Sequence, residues 1–278
     1  MQYFKLPAGV RDVLPEESGA LDRAEALLRE KFAQEGFRSV RAAGLEYYDT
    51  LTKIGSAVGQ EQMFKMTDRD GDLIVLRPDM SLACARIEAT KLHGAPARLC
   101  YFSDIYDFSA GGNSDRVGFY KGLLEESGLS AAESEQLRGY INAKDSVNTE
   151  MALRRMGAPA RAQEALLALP SLFGGVEVLD RAEKLTDNPL ARASLGHLRA
   201  VYDCLKETGA EKYVSFDLGT VKSLSYYSGI VFTGLAEGVG APVLSGGRYD
   251  GLCAQFGADV CAVGFAIGMM RAMQAAAT

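Results

Sequence analysis

The chain has 278 residues, 47% of them apolar and 24% charged, with a formal net charge of −6. That length and composition suit one large domain, or one domain carrying an insertion, and carry no disorder signature. The acidic balance lacks the clustered Lys and Arg through which a phosphate backbone is bound, which argues against nucleic acid as a partner.

Apolar runs stop well short of the roughly 20 residues that cross a bilayer. Met1 leads into Gln2, Tyr3, Phe4 and Lys5 with no basic stretch before an apolar core, so a cytoplasmic protein without membrane contact is expected. Five cysteines (Cys84, Cys100, Cys204, Cys253, Cys261) form no CxxC pair and read as reduced, buried small hydrophobes. Two isolated histidines, His93 and His197, lack ligand spacing and read as surface or helix-end residues. No metal and no cofactor are expected.

In chain order, Leu21, Ala24, Leu27, Leu28 and Phe32 fall on one helical stripe between Glu16 and Gln34, closed by Gly36; this predicts a core-facing helix. A strand over Phe37 to Val40 precedes Leu45 to Leu51. Met63 to Met66 and Leu73 to Leu76 flank Asp68-Arg69-Asp70-Gly71-Asp72, the pattern of a β-hairpin. Pro78 then ends the strand, and Asp79 caps a helix running through Ala85 and Ile87. Leu99 to Phe108 reads as a strand, and Ser109 to Ser114 as a flexible loop. From Val117 to about Arg199 the spacing of Phe119, Leu123, Leu124, Leu137, Met151, Leu153, Leu166, Leu167 and Leu179 predicts a helical insertion of several short amphipathic helices. After Tyr213 strand patterns return, broken by a turn at Glu237-Gly238-Val239-Gly240, and the chain closes with a Gly-rich strand and a helix from near Gly268.

Tyr226-Tyr227-Ser228-Gly229-Ile230-Val231-Phe232, Val243 to Leu252 and Val263 to Arg271, in that order and spacing, resemble the histidine-binding half of class II histidyl-tRNA synthetases. Leu6 to Pro15 resembles the family's opening, and Leu76-Arg77-Pro78-Asp79-Met80-Ser81 its amino-acid-contacting segment. The resemblance implies an α+β fold over residues 1–278: a mostly antiparallel class II aminoacyl-tRNA synthetase-like sheet flanked by helices, with the helical insertion near 117–199. It makes the first helix and Leu45 to Leu51 a motif 1 that pairs two chains, although Ala43 stands where that motif normally has proline. The implied histidine-binding set is Asp79 and Ser81 for the α-amino group, Tyr226 and Tyr227 with Tyr227 beside the imidazole, and the Gly246-Gly247 backbone for close approach. Strand alternation would place Tyr226 on the opposite face from Tyr227. Each residue also has a plainer reading: Asp79 and Ser81 as a helix cap, the tyrosines as strand packing, the glycines as a bulge or tight turn.

The family's reaction, attack of a carboxylate on the α-phosphate of ATP, depends on positioning and charge neutralisation. Here Asp107 occupies the place of the motif 2 arginine, and Lys222 and Ser225 replace the arginine and aspartate that precede the paired tyrosines; Arg271 of motif 3 remains. A carboxylate in place of a cation, at roughly 4 Å and an effective dielectric of about 20, moves the pair energy by about 8 kcal/mol before screening. A register one residue off would make Asp107 an ordinary edge-strand carboxylate, and Arg271 also fits a solvent-facing helix position. Lys222 keeps the charge of the arginine it replaces without the bidentate fork. After Phe108 the chain runs through Ala110-Gly111-Gly112-Asn113 into Asp115 to Lys121, leaving the family's imidazole-contacting carboxylate without a counterpart. Natural shortening, engineering and omission of residues all fit that gap.

The chain closes at Thr278 without an anticodon-binding domain. That ending, the degenerate ATP positions, and the wording of Phe119 to Leu129, Glu237 to Gly240 and Ser245 to Asp250 are similar to the ATP phosphoribosyltransferase regulatory subunits, a synthetase-like family. The resemblance implies a subunit without catalysis of its own. It would act at the first step of histidine biosynthesis, as a homodimer within a hetero-octamer with the short-form catalytic subunit, activating it and taking histidine as feedback effector. A minimal histidine-activating ligase using Lys222 and Arg271 is the alternative, and a scaffold that binds no histidine is a third. Whether histidine sits in this chain or at an interface stays open.

Overall fold

A computed structural model describes residues 6, 10–54, 60, 63–93, 96–106, 118–219 and 227–277. It resolves into two compact units, Met1–Gly112 with Val231–Thr278, and Asn113–Ile230. The first unit begins with α1 (Pro15–Gln34), β1 (Arg38–Ser39), β2 (Leu45–Tyr47), α2 (Tyr48–Ile54), β3 (Lys65–Thr67), β4 (Leu73–Leu76), α3 (Met80–Ile87) and β5 (Leu99–Cys100). The second holds α4 (Gly118–Ser127), α5 (Ala131–Asn142), α6 (Ser146–Arg155), α7 (Ala160–Ala168), β6 (Phe173–Gly174), α8 (Glu177–Glu183), α9 (Pro189–Thr208) and β7 (Phe216–Asp217). The chain then returns to the first unit through β8 (Val231–Gly234), β9 (Leu244–Arg248), α10 (Asp250–Ala254), β10 (Val263–Ile267) and α11 (Met269–Ala276).

In the first unit β8, β9 and β10 form an antiparallel sheet with β9 central, β4 lies between β2 and β3 in a second antiparallel sheet, and β1 pairs β5 in parallel. The expected hairpin is present as β3 and β4, with Met66 opposite Ile74. Its turn is held by Asp68, whose Oδ1 accepts from the N–H groups of Asp70 and Asp72 at 2.9 Å each, the Asx geometry that suits such loops.

Two expectations fail here. Helix α1 forms where the stripe predicts, with Pro15 in its first turn and Glu16 and Glu17 complementing the dipole, but it is not core-facing. None of its residues is buried and Leu27 keeps 59% of its surface exposed; within this unit the helix packs mainly on β1 and α11. Phe32 anchors it, with ring centroids 5.4, 6.3 and 6.1 Å from Phe37, Phe102 and Phe265. Among the described residues of the strand expected over Leu99 to Phe108, ladder pairing is confined to Leu99–Cys100. Residues 103–106 turn their polar groups to Arg77 instead: Ser103 Oγ and the Asp104 carbonyl accept from its guanidinium, and the Tyr106 N–H donates to its carbonyl. Phe108 and the loop expected at Ser109 to Ser114 lie outside the described residues.

The second unit owns the larger core. Phe119, Tyr120 and Leu123 of α4, Leu137 and Ile141 of α5, Leu153 of α6, Leu166 of α7, Leu179 of α8, and Ala191 and Leu195 of α9 are all buried in one cluster. Its helices start cleanly, Ser130 and Glu133 forming a reciprocal capping box and Asn188 Oδ1 accepting from the N–H groups of Leu190 and Ala191. Helix α9 is 20 residues long and ends at Gly209 with φ 70°, so the helical segment runs past 199. Tyr202 continues the apolar face there, its ring 5.8 Å from Phe216.

The cysteines divide. Cys100 and Cys253 are buried and Cys84 partly so, but Cys204 and Cys261 are exposed, against the expectation for all five. The buried residues of α9 are Ala191 and Leu195 in its first half; Cys204 sits in its second.

Candidate functional site

The best-defined part of the site is the entry to α3. Pro78 and Asp79 follow β4, Asp79 is extended (φ −151°, ψ 144°), and its Oδ1 accepts the Ser81 N–H at 2.9 Å. Met80, Leu82, Ala83 and Ala85 are buried beneath, so α3 is seated by its apolar face and presents a capped first turn. The helix-cap reading of this pair is therefore realised in the geometry. Just before it, Arg77 retains 4% exposure, and its guanidinium donates to the carbonyls of Ala42 and Ala43 at 3.1 and 2.6 Å.

One turn into α3, the Cys84 thiol is pushed up to about 12, first by burial and next by the Asp79 carboxylate, with the Arg77 cation opposing. Burial also raises the Cys253 thiol on α10, with Glu88 adding to it. In both cases burial disfavours the thiolate, which makes these thiols poor nucleophiles.

Gly246 and Gly247 are buried in the centre of β9, opposite Phe265 and Gly264 on one side and Phe232 and Val231 on the other. A Cβ on Gly246 would collide with the Gly264 carbonyl and the Phe265 backbone, so sheet pairing alone requires glycine there. At the sheet's end Arg248 donates to Asp250 at 2.7 Å, while Asp250 accepts the Ala262 N–H at 2.9 Å. Arg271, in the first turn of α11, folds its guanidinium over Gly268, 2.6–2.9 Å from where a Cβ would stand. It is exposed, and among the described residues no carboxylate lies within 4.0 Å of it.

The first unit thus holds Asp79, Ser81, Gly246, Gly247 and Arg271, with α10, which follows β9, packed on α3. Tyr227 is half-buried and belongs to the second unit. It precedes β8 without joining a ladder, which corrects the strand-alternation argument for the tyrosine pair: no pleat sets its direction. Tyr226, Asp107 and Lys222 lie outside the described residues. Sequence reading placed Arg77 in the amino-acid-contacting segment without giving it a role, and read Cys84 only as one of five buried thiols. Arg77 closes the apolar run Leu73-Ile74-Val75-Leu76, but the acceptors that give it a role lie at residues 42, 43, 103 and 104.

Among the described residues no group of three His, Cys, Asp or Glu side chains could hold a metal, and no helix is long and apolar enough to cross a membrane. His93 and His197 are both exposed.

The family described as histidyl-tRNA synthetase matches residues 9–116 and 115–272, so fold and motifs together define a class II, histidyl-tRNA synthetase-like chain. Two solved structures agree. An ATP phosphoribosyltransferase regulatory subunit/histidyl-tRNA synthetase from Bacillus halodurans superposes with a TM-score of 0.87 at 27% identity, over 98% of this chain and 83% of that one. A histidine–tRNA ligase subunit from Alicyclobacillus acidocaldarius gives 0.81 at 25% identity, over 98% and 97%. Among curated relatives, the ATP phosphoribosyltransferase regulatory subunit of Acetivibrio thermocellus is 34% identical over 315 residues, spanning 97% of this chain and 75% of that protein. That of Clostridium acetobutylicum is 33% identical, spanning 95% and 77%. The chain belongs to the ATP phosphoribosyltransferase regulatory subunit family.

The 315 positions aligned with the Acetivibrio relative exceed the roughly 270 residues that make up 97% of 278, so about 45 positions have no residue in this chain. The family match itself falls in two segments that meet at residues 115–116.

Proposed function

We propose that this chain is the non-catalytic regulatory subunit of an ATP phosphoribosyltransferase, acting in the cytoplasm at the first step of histidine biosynthesis. It pairs with itself, joins the short-form catalytic subunit in a hetero-octamer, activates it, and carries histidine feedback. The observation that supports this most is the near-complete match to regulatory subunits together with the break at 115–116. A chain that lacks those residues, and carries Asp107 and Lys222 where arginines would hold phosphate, has little left with which to activate an amino acid. Asp79 and Ser81, Tyr226 and Tyr227, and Gly246 and Gly247 are the residues we assign to histidine; Asp107, Lys222 and Arg271 are remnants of an ATP site. By linkage, histidine inhibits only if the less active state of the assembly binds it more tightly.

The test is to mix the purified chain with a short-form catalytic subunit and follow phosphoribosyl transfer with and without histidine. The chain should raise the rate and confer inhibition by histidine, and by itself should show no histidine-dependent ATP–pyrophosphate exchange. Robust exchange lost in Arg271→Ala would establish the ligase reading instead, and a rate indifferent to the added chain would remove the regulatory one.

A further inference from the structure

We propose that Arg77 is the positioning residue of the amino-acid site: a buried guanidinium that fixes the Asp79–Ser81 turn against two distant segments of the first unit. The ligand named here, histidine, rests on the reading above; the geometry does not.

Arg77 joins three stretches of chain at once. Its Nη1 donates to the carbonyls of Ala42 and Ala43, and its Nη2 to Ser103 Oγ and the Asp104 carbonyl, the latter at 3.0 Å. The backbone repeats the pattern, with its N–H donating to the Gly44 carbonyl at 2.9 Å and its carbonyl accepting the Tyr106 N–H at 3.0 Å. The acceptors are thus grouped in two directions, residues 42–44 on one side and 103–106 on the other, with Arg77 between them.

None of the four side-chain acceptors is a carboxylate. A buried cation held by carbonyl and hydroxyl dipoles is a costly way to gain stability, since an apolar residue of similar size avoids the desolvation penalty. The planar fork instead supplies direction: two terminal nitrogens with two acceptors each leave the guanidinium one orientation, and through it one path for the backbone from β4 into Pro78 and Asp79. Two residues on, Asp79 caps α3. The Cys84 thiol responds to both Asp79 and Arg77, so the cation and the capping carboxylate lie in one environment. The segment that would take the α-amino group is therefore set from behind by Arg77, which touches no ligand itself.

Arg77→Lys tests this, because lysine keeps the charge and loses the fork. Histidine binding is measured by calorimetry, melting by circular dichroism, and amide exchange at Ser81 and Tyr106 by NMR or mass spectrometry. The variant should melt cooperatively but bind histidine about tenfold more weakly, the scale of losing a hydrogen bond to a charged group. Its Ser81 and Tyr106 amides should exchange faster while those of β9 and β10 do not. A lower melting temperature with unchanged histidine affinity would overturn the proposal, since that is what a purely structural role gives. Should Arg77→Lys fail to fold, Ser103→Ala removes one acceptor, and the same weaker binding with local exchange at Ser81 is expected. If the unaltered protein binds no histidine, the histidine assignment falls by itself, and the exchange data still decide for or against Arg77.

Discussion

The Cys84 thiol lies close enough to Asp79 to feel its charge, and its response to pH can be read. The Cys84 thiol ionises at about 12 in the folded chain, chiefly because burial penalises the thiolate and then because Asp79 repels it. Its folded value is raised above the unfolded one near 9, so its contribution is fully present below about pH 9 and is lost as pH rises toward about 12. Unfolding stability should fall across that window by up to about 1.4 kcal/mol per pH unit from this thiol. Cys84→Ala should flatten the slope, whatever it does to the absolute value. Urea unfolding of both proteins at a series of alkaline pH values checks this, and parallel curves would mean that the thiol is solvated. Alkylation offers a simpler reading: at pH 8 a small maleimide should modify the exposed Cys204 and Cys261 long before Cys84 or Cys253. For Tyr227, placed beside the imidazole by resemblance, Tyr227→Ala should weaken histidine inhibition of the assembled complex by about 1–3 kcal/mol without dispersing it; unchanged inhibition constants would mean that histidine is sensed elsewhere.

Among the elements, α4 and α9 approach closely enough at Gly122 to be tested by one atom. A Cβ on Gly122 would stand 2.6 Å from Asn188 Oδ1 and 2.7 Å from both the Cβ and the backbone nitrogen of Ala191. Gly122→Ala must push α9 away or dislodge its cap, so it should destabilise the chain by about 1–3 kcal/mol despite alanine's better helix propensity. A denaturation midpoint equal to or above that of the parent would show that the helices are not so close. The same pair explains what sequence could and could not reveal. Apolar periodicity marked α4 through Phe119 and Leu123, and the hairpin through its Asp-rich turn, because both signals are local. It overcalled α1, whose stripe is correct but unburied within its unit, since periodicity reports a face and not what covers it. It cut the helical segment at about 199, although Val201, Tyr202 and Leu205 continue the apolar spacing of Leu195 and Leu198. In the site, Asp79 was legible as a cap from Pro78 and the helical run behind it, whereas Arg77 was not: its four acceptors come from residues 42, 43, 103 and 104, and no local pattern announces a contact that only tertiary folding makes.

At the scale of the whole molecule, the two units bury their apolar residues very unequally. The helical unit has one contiguous cluster reaching from Phe119 to Leu218. The first unit has the sheets and the capped helix but leaves Leu27, Leu45, Tyr47 and Met270 among its exposed large hydrophobics, and neither α1 nor α11 buries a single residue. Scattered exposed apolar side chains are normal on any protein, but Leu45 and Tyr47 lie on β2, inside the segment that resembles motif 1, and the unburied stripe of α1 belongs to the same motif. A second copy of this chain is the occupant that the family reading supplies, in an isologous contact where the same patch appears on both sides. Sedimentation at micromolar concentration should therefore report a dimer, and the melting temperature should rise with protein concentration, as mass action requires when association stabilises the folded state. Tyr47→Asp, which puts a charge on an exposed β2 position without touching the helical core, should shift the sedimentation boundary toward monomer and abolish that concentration dependence. A parent chain that sediments as a monomer and melts at the same temperature across a hundredfold dilution would leave α1 and β2 as ordinary exposed surface, and would take the homodimer out of the proposed assembly while leaving the contact with the catalytic subunit to be tested by the transfer assay.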